Sequence, residues 1–150
     1  MNRLVFAAAA AISLGTALPA AAQFQKPEDA IKYRKSAMTV MANHFGRIGA
    51  MVNGRVPFDA ATVQANADVV ATLSKLPFTG FIDGTSTGDT KAKPEIWTDF
   101  ADFTAKMKDL ERESAALATI AKSGDEAKMR EQFAKTGGAC KACHDKYKAE

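Results

Sequence analysis

The chain has 150 residues, 47% of them hydrophobic and 25% charged, which suits one domain with an adequate core and leaves too little for a second. Its formal charge of +3 is spread along the sequence. No run of Lys and Arg interleaves with aromatics, so nucleic acid is set aside as a partner.

The first element in chain order is a processing signal. "MNRLVFAAAAAISLGTALPAAAQ" carries one basic residue, Arg3, an apolar run through Leu18, then Pro19 and small residues before Gln23. That is the pattern of a secretory signal peptide over residues 1–22, cleaved to leave a domain of 23–150. The run is too short and alanine-rich for a membrane span, and no later stretch approaches the roughly 20 apolar residues one needs. The mature chain is expected to be soluble, and with no lipobox cysteine near the cleavage point the address reads as bacterial periplasm.

Turn-forming clusters at 53–59, 77–94 and 122–125 divide the remainder into four segments, each with helical period. In the first, Ile31, Arg34, Met38, Met41, Phe45, Ile48 and Val52 step by three and four, a seam with one charged member. The second starts at Asp59, a good N-cap, and carries Val63, Ala67, Val70, Leu73 and Leu76 up to Pro77. The third opens at "KPE" and runs Ile96, Phe100, Phe103, Met107, Leu110, Leu117 and Ala121 until Gly124. The fourth, capped by Asp125, places Met129, Phe133, Thr136, Cys140, Cys143 and Tyr147 on a seam that turns the cysteines inward. No strand alternation occurs, so the predicted architecture is all-α, an antiparallel up-down four-helix bundle. Only the 77–94 connection is long, and its glycines and hydroxyls are suited to fold over something bound.

The chemistry lies in "CKACH". Cys-x-x-Cys-His is the attachment signature of haem c: Cys140 and Cys143 add to the haem vinyl groups as thioethers, and His144 becomes the axial iron ligand. Other readings remain. An exported dithiol would need a cysteine pair at a helix start in a βαβ setting. Zinc usually needs four ligands, and the other histidine, His44, lies in another helix at an edge of its core line. A disulfide between cysteines three apart would distort the helix for little loop closure. Gly137 and Gly138 suit close approach of a flat porphyrin edge, or else the helix begins afresh there. No methionine follows the motif, so any sixth ligand must come from another helix. Met38 is the candidate, although methionine at helical spacing is mostly core filler. Arg34, one turn earlier, calls for an anion such as a haem propionate, or else snorkels to the bundle end.

Taken together, "QFQKPEDAIKYRKSAMTVMANHFGRI", "AKPEIWTDFADF" and "CKACHDKYK" resemble the cytochrome c' family, the class II c-type cytochromes, across essentially all of 23–150. That family is itself a standard four-helix bundle, so the fold it implies is the one the periodicity gives. The resemblance implies a periplasmic, usually homodimeric protein with one haem c. Its iron is held by the motif histidine, mostly five-coordinate and high-spin, with an apolar distal pocket for nitric oxide or carbon monoxide. It also implies Arg34 beside a propionate, Lys35 at the haem edge and Met38 over the iron. Phe81, Asp89, Thr90, Lys91 and Glu95 would border the haem. Lys148 stands where many members have arginine, keeping the charge without the planar fork.

Two functions follow. A gas-binding protein would keep the distal position open. An electron carrier would hold its iron six-coordinate and low-spin between His144 and Met38, and meet an unidentified periplasmic redox partner through Lys35, Lys146 and Lys148. No carboxylate pair, nucleophile triad or distal histidine points to an enzyme. The partners expected are small diatomic gases, a redox partner and a second copy of the chain, paired through the first two helices near "MVNGRVPFDAATV".

Overall fold

The computed structural model describes residues 23–150; the signal peptide expected over 1–22 lies outside the described residues. Four long helices form the body: α1 (Pro27–Val52), α2 (Ala60–Leu73), α4 (Phe100–Ala121) and α5 (Glu126–Tyr147). Between α2 and α4 lie a 3-10 turn, Pro77–Gly80, and the one-turn helix α3 (Glu95–Thr98). α1 packs on α2, α2 on α4, α4 on α5, and α5 back on α1, closing the bundle. Among the described residues no helix is long and apolar enough to cross a membrane.

Local signals explain most boundaries. Pro27 opens α1 where its missing N–H costs nothing, and Glu28 and Asp29 occupy the positive end of the helix dipole. The Asp59 carboxylate accepts from the Thr62 N–H and the Asp125 carboxylate from the Lys128 N–H, so α2 and α5 have the caps expected of them. The seams also hold: Ile31, Arg34, Met41, Ile48 and Val52 are buried on α1, with Val63, Ala67 and Val70 on α2. Phe103, Met107, Leu110, Leu117 and Ala121 follow on α4, and Met129, Thr136 and Tyr147 on α5. Gly49 admits the Phe133 ring, which stacks on Phe45 with centroids 4.2 Å apart. A Cβ at Gly49 would lie 2.7 Å from Phe133 Cζ.

Several expectations need correction. α2 stops at Leu73, not Leu76, because Ser74 turns its hydroxyl back to the Ala71 carbonyl and the chain tightens into the 3-10 turn. The third segment is not one helix. It breaks at Asp99 (φ −127°, ψ 49°), whose carboxylate accepts from Lys146 Nζ at 2.7 Å and whose carbonyl accepts from both Phe103 N and Tyr147 OH. α5 therefore pulls Asp99 out of helical register. Phe100, counted in the core, is 41% exposed, with its ring tilted against those of Phe78 and Phe103. α5 runs unbroken through Gly137 and Gly138, so the helix does not restart there. The cysteines do point inward, half-buried, with Cys140 packed against one core cluster and Cys143 against the other.

Candidate haem site

Two cavities of about 330 and 260 Å³ lie between α1, α4 and α5. Both are bordered by Met38, Ala42, Cys143 and His144, so they are two ends of one slot. Helical spacing brings these residues together. Met38 and Ala42 are one turn apart on α1, and Cys140, Cys143 and His144 occupy consecutive positions of one α5 face. Phe81, Ile96, Phe103 and Tyr147 wall the first cavity; Phe45, Val70, Leu110 and Gly137 wall the second, which Cys140 also borders. A Cβ at Gly137 would meet the Phe45 ring at 3.7 Å, an ordinary contact, and Gly138 faces open space, so the protein's own packing requires neither glycine.

The slot has a polar end. Arg34, Lys35, Lys91 and Lys148 border the first cavity, against Lys106 alone at the second. Lys35 is paired with Asp89 at 2.6 Å, which puts Asp89 on the rim, while Lys91 and Lys148 make no ion pair among the described residues. Thr90 borders the cavity too. Glu95 opens α3, exposed, and borders neither cavity.

Arg34 stands at the polar end of the first cavity. It is only 2% exposed, yet no carboxylate faces it among the described residues. Nη1 donates to the Gly80 carbonyl (2.8 Å) and Thr85 Oγ1 (2.7 Å), and Nη2 to the Thr85 carbonyl (2.8 Å) and Thr90 Oγ1 (2.9 Å). Its guanidinium carbon lies 4.4 Å over the Phe81 ring and 5.7 Å from that of Trp97. Neutral oxygens thus meet its four Nη–H donors while aromatic rings lie against the group, and with the side chain buried the snorkelling alternative is not realised. Burial lowers its pKa to about 10, so it stays cationic at neutral pH.

The thiols differ from those of a redox dithiol. They lie in the C-terminal half of α5, away from the positive end of the helix dipole. Burial raises the pKa of both, that of Cys143 to about 11, whereas an exchanging cysteine needs its pKa depressed. Partial desolvation, and Lys148 after it, lower the pKa of His144 and favour the neutral imidazole that can bind a metal. Among the described residues no three His, Cys, Asp or Glu side chains are grouped as a zinc site would require. His44 is engaged elsewhere, with Nδ1 2.8 Å from Asn66 Oδ1.

A family model described as cytochrome C' matches residues 29–148. The chain belongs to the cytochrome c' family. It is 50% identical over 127 residues to the cytochrome c' of Rubrivivax gelatinosus and 49% identical over 126 to that of Alcaligenes xylosoxydans xylosoxydans, covering 84% of this chain and 98% of each relative. The crystal structure of the Rubrivivax protein superposes with a TM-score of 0.82, and the cytochrome c' of Shewanella frigidimarina, 49% identical, with 0.84; each match covers 85% of this chain and all of the other. Solved variants of the Alcaligenes protein include the nitric oxide complex of a leucine-to-alanine mutant, at TM-score 0.80, and a carbon monoxide-bound leucine-to-glycine form. Cytochromes c' bind haem c, and this chain has two cysteines for the thioether links.

The slot fits that group on its own terms. It is apolar along its length, with thiols and an imidazole at its waist and cations at one end, which matches a flat apolar macrocycle bearing carboxylates on one edge. Sequence reasoning did not single out Ala42, Thr85, Ala92 or Trp97 for the site or its supports. Ala42 carries the only readable signal, one turn beyond Met38.

Proposed function

We propose that the protein is a periplasmic mono-haem cytochrome, five-coordinate and high-spin, that binds small diatomic gases at the distal haem face and can carry electrons, without acting as an enzyme. The observation that carries this reading is the slot itself, where Met38, Ala42, Cys143 and His144 border both cavities. Cys140 and Cys143 would hold the haem covalently and His144 would be the axial ligand, while Arg34, Lys91 and Lys148 form the cationic end suited to its carboxylates. Bound haem supplies an iron with a vacant coordination position for nitric oxide or carbon monoxide. Met38 and Ala42 offer no hydrogen-bond donor and keep water and anions from the slot, so a neutral diatomic is preferred. The gas complexes of the Alcaligenes variants support the same choice.

Export rests on the signal sequence at 1–22. A homodimer through α1 and α2 is supported by two exposed valines, Val40 on α1 and Val56 in the following turn, and gel filtration would report it. A second reading, a low-spin carrier with Met38 as sixth ligand, is favoured only by Met38 bordering the same cavities as His144. The test is anaerobic titration of the reduced haem protein with nitric oxide, read by absorption and electron paramagnetic resonance. A saturable nitrosyl signal at one equivalent per chain is expected; no signal would contradict gas binding.

A further inference from the structure

Residues 80–92 contribute Phe81, Thr90, Lys91 and Ala92 to the wall of the first cavity, yet after Gly80 no helix supports them. Gly84 and Gly88 take positive φ, 79° and 99°, so the backbone here has the freedom of a turn-rich loop. What holds the segment comes from outside it. At its far end the C-terminus ties it, through the antiparallel bridge Ala92↔Lys148 and the bonds Lys93 N–H to Tyr147 O (2.9 Å) and Ala149 N–H to Lys91 O (2.8 Å). Trp97 Nε1 adds a bond to the Ile82 carbonyl. Over the rest of its length the ties come from α1: exposed Lys35, whose Nζ donates to the Asp89 carbonyl (2.9 Å) and carboxylate (2.6 Å), and the buried tie, Arg34.

The four Arg34 bonds reach three points of the segment, Gly80, Thr85 and Thr90, from one planar group. Thr85 is fully buried beneath it, and the hydroxyl that accepts from Nη1 donates in turn to the Ile82 carbonyl at 2.7 Å. Gly80 lies against α1 so closely that a Cβ would stand 2.8 Å from the Ala30 carbonyl and 2.9 Å from Arg34 Cβ. A buried cation without a carboxylate is costly unless each donor is met, and here four donors are met by the segment alone. Lifting the segment breaks all four charge-assisted bonds together, so the arginine opposes opening more strongly than a neutral side chain would.

We infer that Arg34 is a positioning residue: its guanidinium staples residues 80–92 onto α1 and so sets how readily a diatomic ligand enters the haem slot. This role differs from pairing with a propionate, for which only the Nε–H is left outside the four bonds. Ammonium cannot replace it, because one point charge cannot span three anchor points. The control of ligand entry rests on the gas-binding reading, whereas the staple itself does not.

The experiment compares wild-type haem protein with Arg34→Lys, Arg34→Met and the double variant Thr85→Val/Thr90→Val, which keeps the arginine but removes two acceptors. Far-ultraviolet circular dichroism and the haem absorption spectrum confirm that each is folded and loaded. Amide hydrogen exchange across 80–92 should speed up about tenfold or more in Arg34→Met and equally in Arg34→Lys, with a smaller acceleration in the threonine pair and none in α2 or α4. Carbon monoxide association, followed after flash photolysis, should rise several-fold in the same order. Rescue by Arg34→Lys, or unchanged exchange in the threonine pair, would overturn the staple and leave charge as the residue's contribution. Failure of the wild type to bind carbon monoxide would sink the gas-binding reading, and the exchange data would still decide the staple.

Discussion

Met38 borders both cavities and packs against both core clusters, so one side chain stands where the two ends of the slot and the two halves of the core meet. Its thioether has no hydrogen-bonding donor and three rotatable bonds, which suits a yielding apolar cover. Replacing Met38 with Ala should leave the ferrous spectrum high-spin and speed carbon monoxide association; conversion of a low-spin wild-type spectrum to high-spin would instead assign Met38 to the iron. At this scale the sequence was informative where chemistry is local. Cys140, Cys143 and His144 announce themselves by spacing alone. Arg34 was visible as the charged member of an apolar seam, but its partners were not, since Thr85 and Thr90 lie 51 and 56 residues away and hydroxyls carry no periodic signal.

The elements divide in the same way. Asp59 and Asp125 could be read as caps because a cap is a matter of three residues. The break at Asp99 could not, because its causes, Lys146 and Tyr147, stand 47 and 48 residues further on. Lys146 also reaches Asp102 (2.9 Å), whose carboxylate accepts from Tyr147 OH (2.6 Å), so the end of α5 is latched to the start of α4. These bonds, Lys146 for Asp99 and Tyr147 then Lys146 for Asp102, hold both carboxyls below their ordinary value of 3.8. A depressed carboxylate pKa stabilises the fold above the ordinary value and ceases to do so as pH falls through the folded one. The carboxyls should therefore contribute a loss of thermal stability below about pH 4, with Asp102→Asn removing part of that loss in a melting series against pH. On the opposite side of the slot, Gly80→Ala would drive a Cβ into the Ala30 carbonyl. It should cost about 1–3 kcal/mol in denaturant unfolding, and a neutral result would mean that the segment can stand off from α1.

For the whole molecule, two apolar clusters meet at Met38. One lies between the long helices around Ile48, Val63, Leu117 and Met129, and the other, around Phe81, Ile96, Phe103 and Tyr147, backs the first cavity. Phe103 centres the second, with the Phe81 ring at 4.7 Å and that of Tyr147 at 5.5 Å, both edge-on. Phe103→Ala should lose about 3–5 kcal/mol of stability in denaturant unfolding, far more than a change at exposed Phe100. The bundle was legible because four amphipathic seams with short connections admit few other packings. The 77–94 connection was legible only as long and hydroxyl-rich, since its path is held by distant residues, Arg34 and Lys35 on α1, Trp97 and the C-terminus. The claim on which the account stands is that this fold holds one haem with a coordination position open to a diatomic. The most direct measurement is the visible spectrum of the dithionite-reduced protein before and after carbon monoxide. The account predicts a broad, unsplit high-spin band that carbon monoxide converts to a new, sharper spectrum. Sharp α and β bands in the reduced protein, unmoved by carbon monoxide, would contradict it.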